Sequence, residues 1–141
     1  MQGQNAARAA APGPRRSSLA VLAAAMLIAC SHGDDSYVVG TAHWKDCEVT
    51  VESRPAPPRP GHNEVLVILT GARHEPIYDA VVAVRARSSS EWVQAIEDGH
   101  VGVYRRAVDF AAGQNATIEV QLRRGNDATV MAFPVAMLGS P

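Results

Sequence analysis

From Cys47 onward, apolar and polar residues alternate in short stretches separated by Gly-, Pro- and Asn-rich breaks. Side chains in a strand point to opposite faces in turn, so this alternation predicts half-buried strands. Cys47–Glu52 puts Cys47, Val49 and Val51 on one face. Pro55, Pro57, Pro58 and Pro60 end that strand, because proline donates nothing to a ladder. Gly61–Asn63 reads as a turn. Glu64–Thr70 holds the unbroken run Val65-Leu66-Val67-Ile68-Leu69, which suits a central strand buried on both faces. After a turn at Gly71–Glu75, Ala80–Arg87 points Val82, Val84 and Ala86 inward and Arg85 and Arg87 outward. Glu91–Glu97 reads as a short edge strand or an irregular crossover, and Asp98-Gly99 as a turn. Val101–Phe110 places Tyr104, Val108 and Phe110 on one face. Ala116–Arg124 alternates most clearly, with Ile118, Val120 and Leu122 inward. A turn at Gly125-Asn126-Asp127 leads to Thr129–Val135, where Pro134 marks an edge or an end. This spacing of about ten to twelve residues predicts an all-β sandwich of six or seven antiparallel strands. No segment keeps a helical period.

The first residues follow a different logic. Met1–Arg16 carries Arg8, Arg15 and Arg16 and no acid, and Leu19–Ala29 is an uncharged apolar run of 11 residues. A basic front and a short apolar run make a secretory signal, a helix that is removed from the mature protein. Eleven helical residues span about 16 Å, roughly half of a bilayer core. The run closes in Leu27-Ile28-Ala29-Cys30, which resembles the lipobox of bacterial lipoproteins. The resemblance implies cleavage between Ala29 and Cys30, with lipid on the Cys30 thiol and on the new amino group. One acyl chain holds a protein to a membrane weakly and two or more hold it stably. The same resemblance reads Ser31, where inner-membrane lipoproteins carry an aspartate, as pointing to the outer membrane. Residues 30–45, with no clear period, read as a tether, and 46–141 as the folded domain. A flexible tether of that length has an end-to-end distance of roughly 20 Å.

Charge changes with the cut. The 141 residues carry 13 basic and 14 acidic side chains; without residues 1–29, ten basic side chains remain against 14 acidic, a net charge of −4. An acidic chain is a poor partner for nucleic acid, which needs a basic face. Cys47 is then the one cysteine left unmodified, and its parity with Val49 and Val51 predicts burial.

Candidate chemistry is sparse. His32, His43, His62, His74 and His100 fall in predicted loops or the tether, with no metal-ligand spacing among them. Met131 is expected in the core. No nucleophile elbow, phosphate loop, zinc-peptidase helix or dinucleotide glycine pattern is present, so neither catalytic residues nor a cofactor site is expected. Trp92 reads as a cap on the core or, if exposed, as an interaction hot spot. Four aromatics, Tyr37, Trp44, Tyr78 and Trp92, are available to a sugar-binding face.

Pro58–Val135 resembles the YtkA-like domain, related to the FixH-like family of bacterial envelope proteins. The residues that carry the likeness are Pro60-Gly61-His62-Asn63-Glu64, Asp79-Ala80 with Val82, Gly102-Val103-Tyr104-Arg105, Val108, Phe110, Gly113 and the alternating penultimate strand. The resemblance implies an immunoglobulin-like sandwich without catalytic residues, and for some members a role near copper oxidase assembly or in metal handling. Soft Met and His ligands, which suit Cu(I), often follow the Asp-Ala strand in that family. Here Ala86–Trp92 holds neither residue type. The expectation is therefore a non-catalytic, lipid-anchored envelope protein that binds or assembles with other envelope proteins. A copper-handling or oxidase-assembly accessory is the alternative, and a carbohydrate- or wall-binding module a third reading.

Overall fold

A computed structural model describes residues 35–87, 91–112 and 115–137. The signal segment, the cleavage pair Ala29 and Cys30, and Ser31 and His32 lie outside them. The described residues form nine strands in two sheets: β1 (Tyr37–Trp44), β2 (Cys47–Arg54), β3 (Gly61–Gly71), β4 (Val81–Ala86), β5 (Val93–Gln94), β6 (Ile96–Glu97), β7 (Val103–Phe110), β8 (Ala116–Arg124) and β9 (Asp127–Val135). One sheet runs β1-β2-β3-β7-β6, the other β5-β4-β8-β9, and neighbouring strands are antiparallel throughout. Without β1 and β5, the orders β2-β3-β7-β6 and β4-β8-β9 are those of the ABED and CFG sheets of an immunoglobulin-like sandwich.

The core lies where the sheets face each other. Val49 and Val51 of β2, Val65, Val67 and Leu69 of β3, and Tyr104, Val108 and Phe110 of β7 meet Val82, Val84 and Ala86 of β4, Ile118, Val120 and Leu122 of β8, and Phe133 and Val135 of β9. β3 is apolar on both faces for a reason. Its outward Leu66 is only 3% exposed, and its cross-strand neighbours are Glu52 and Arg105. Long side chains of that kind lay their stems over apolar surface and keep their charges in water.

Within the tether expected over 30–45, Tyr37–Trp44 is instead a strand. A bulge between Val38 and Gly40 shifts the register. Half-buried positions are Tyr37 and Val39 before it, and Gly40, Ala42 and Trp44 after it. The change of parity hides the period. Gly40 sits above Phe133, so that a Cβ there would lie 3.0 Å from the ring. The turn expected at Gly61–Asn63 is instead the start of β3, although Asn63 still does turn chemistry. Its buried amide accepts the Arg59 N–H at 3.1 Å and donates to the Arg59 and Gly61 carbonyls at 2.6 and 2.8 Å, which fixes the end of the proline loop. Both readings of Glu91–Glu97 hold, since β5 edges one sheet and β6 the other while the chain crosses between them.

Two ends follow from this register. The chain enters at Tyr37, opposite Ser53, and β9 finishes at Val135, opposite Ala116; this is the entry end. At the far end lie the β1–β2 turn (Lys45–Asp46), the β3–β4 connection (72–80), the β6–β7 connection (98–102) and the β8–β9 turn (Gly125–Asn126).

Candidate functional site

The far end is indented. Two clefts flank the Lys45–Asp46 turn. One, of about 280 Å³, is lined by His43, Glu48, Thr70 and His74; the other, of about 300 Å³, by Trp44, Cys47, Asp79, Arg124 and Asp127. Lys45 holds the left-handed conformation that a two-residue hairpin turn requires, with φ of 57°.

Charged side chains fix the walls of the second cleft. Arg124 Nε donates to Asp79 Oδ1 at 2.9 Å, and its Nη1 lies 3.9 Å from Asp46 Oδ1. Lys45 pairs with Asp127. Three connections are thereby tied together, and the hydrogen bond that Arg124 donates to Asp79 holds the guanidinium more firmly protonated than usual. Below them, the buried Tyr104 hydroxyl donates to the Ile77 carbonyl at 3.2 Å and accepts the Ala80 N–H at 3.3 Å, so the core side chain itself pins the β3–β4 connection. Burial pushes the Tyr104 hydroxyl pKa up. Gly102 allows the next connection to come close. Its φ is 73°, and a Cβ there would stand 2.7 Å from the Leu69 carbonyl oxygen. Glu97 closes the same connection by accepting the His100 N–H at 2.9 Å. Its carboxyl pKa is raised by desolvation, but the His100, Gly102 and Val101 N–H groups outweigh this and lower it.

At the tip, Tyr78 is 55% exposed and its ring lies 5.3 Å from that of His100, beside the exposed Val101. An aromatic with a polar tip next to an aliphatic is a common composition for a protein contact.

The singled-out residues separate. Cys47 is buried, as its parity predicts, at 3% exposure. Burial raises its thiol pKa, and the thiol donates to the Glu48 carbonyl at 3.4 Å. His43 and His74 share the first cleft, while His62 lies at the entry end. His43 is 3.8 Å from Glu48, His100 is 3.3 Å from Glu97, and His62 is 2.6 Å from Asp109 at the entry end. Among the described residues, no group of three or more His, Cys, Asp or Glu side chains is placed to hold a metal ion. Met131 and Met137 pack, half-buried, against the core. Trp92 does not cap the core; it is half-buried with the Arg85 guanidinium 4.4 Å from its ring centre, on the outer side of the second sheet. Tyr37 and Trp44 stand at opposite ends of β1, Tyr78 at the far tip and Trp92 beside β5, so these aromatics do not share one face.

The far-end ion pairs had no signal in the sequence, since Asp79 and Arg124 are 45 positions apart. The chain matches no family model, no curated protein and no solved structure.

Proposed function

We propose that this chain is an exported bacterial lipoprotein, cleaved between Ala29 and Cys30 and acylated on Cys30, which presents a non-catalytic binding or assembly module of the YtkA-like kind at the cell envelope. It faces the periplasm, from the outer membrane by the reading of Ser31, and its partners are envelope proteins and not nucleic acid. One observation carries this reading: the chain enters at Tyr37, at the end opposite both clefts and the Tyr78–His100 tip. The seven residues from Cys30 to Ser36 span at most about 25 Å. β1 adds about 26 Å before the far end is reached. An anchor at Cys30 therefore holds the entry end near the lipid and leaves the far-end loops facing away, where a partner meets them.

Membrane fractionation and mass spectrometry of the full chain test the anchor. The native protein is expected in membranes with acyl mass on Cys30, and Cys30→Ala uncut and unlipidated. A Cys30→Ala protein that matures normally and stays in membranes overturns the anchor. Photo-cross-linkers at Tyr78 and Val101, against Pro57 and Ala112 at the entry end, test the surface. Protein adducts from the first pair alone are expected; adducts from the second pair alone, or from neither, overturn it.

A further inference from the structure

Strand edges expose unpaired backbone groups, and native sheets blunt them with charges, bulges or short strands. Among the described residues, three of the four outer strands do so. β1 carries the bulge at Val38/Gly40, and β5 and β6 have two residues each. β9 is different. It pairs with β8 without a break from Asp127 to Val135, and no charged residue occurs from Ala128 through Met137. Its outward positions are Ala128, Val130, Ala132 and Pro134, and Val130 is 55% exposed. Pro134 protects only the last residues of this edge. Toward β1, the half-buried Met131 faces the same side of the sandwich as half-buried Val39 and Ala42, with Gly40 against Phe133. A regular, uncharged edge thus runs beside an apolar seam.

We propose that β9 is the template on which an extended, uncharged segment of another protein adds as a further strand. Its backbone would pair with β9, and alternate apolar side chains would lie along the seam. The seam selects uncharged side chains, because a Lys or Glu on the inward face of the added strand sheds water against Val39, Ala42 and Met131. Two copies pairing β9 to β9 in antiparallel fashion would point their Tyr37 ends in opposite directions, which does not suit two chains held to one surface by short segments. The choice of another protein over a second copy therefore rests on the anchoring proposed above; the open edge does not.

The test uses the full chain purified in detergent and two capped, fluorescent peptides, one of four Thr-Val repeats and one of four Thr-Lys repeats. The Thr-Val peptide is expected to bind saturably and to protect amides of 128–134 from hydrogen exchange. Val130→Lys, on an exposed side chain, is expected to weaken it about tenfold or more, or about 1.4 kcal/mol, while Ile96→Lys on another edge leaves it unchanged. Absence of saturable binding, equal binding of the Thr-Lys peptide, or indifference to Val130→Lys overturns the proposal. A dimer in sedimentation that Val130→Lys dissolves overturns it in favour of a second copy. No readout involves the membrane, so failure here leaves the anchor standing.

Discussion

At the far end, four connections meet, and charged side chains tie three of them together above a tyrosine hydroxyl that rises from the core. At the entry end, the three hydrogen bonds of one buried amide, Asn63, hold the proline loop, with the Arg54–Glu64 and His62–Asp109 ion pairs beside it. The far end pairs charged groups distant in sequence, so its stability is expected to depend on salt. The hold of Asn63 on the proline loop is a short-range, neutral device, expected to be indifferent to salt.

Mutations can break this contrast, beginning with the keystone. Tyr104→Ala removes a large buried side chain and the pin beneath the far end, with an expected loss of about 3–5 kcal/mol in denaturant unfolding. A loss under about 0.5 kcal/mol would show that the far end does not depend on it. Asn63→Ala removes the three hydrogen bonds of a buried amide, and about 1–3 kcal/mol is expected, equal in low and high salt. Arg124→Ala is expected to cost less, at most about 1 kcal/mol, since its ion pairs are exposed, and the effect should disappear near 1 M salt. If the Asn63 variant proves the salt-sensitive one, the contrast is inverted. pH sharpens it further. Cys47 and Tyr104 have pKa values raised above their ordinary 9.0 and 10.0, because the fold favours their neutral forms. Their contribution is whole below those values and is lost as pH rises through the higher folded ones. Thermal melts should therefore weaken above about pH 9, with a smaller decline in Tyr104→Phe.

Much of the sandwich was legible because regular strands write their period into the chain. β8 was read with its exact bounds, and the burial of Cys47 followed from its parity with Val49 and Val51. β1 was illegible because its bulge reverses the parity midway. β5 and β6 were ambiguous because two residues carry no period. The far-end surface was less legible still. Its residues come from separate turns, and only the folded register brings Lys45 to Asp127 and Arg124 to Asp79. The Arg85–Trp92 stack escaped for the same reason, since nothing local tells a tryptophan that its cover will be an arginine.

The eight-residue hairpin partner β1 also decides how the domain bears mechanical load. A pull exerted before Tyr37 and resisted at the far-end loops runs along β1, at right angles to the hydrogen bonds that join it to β2. The ladder is then strained in shear, its bonds loaded together instead of opened one by one like a zipper. A domain tugged between a tether and a partner would thus meet the force along its stiffer direction.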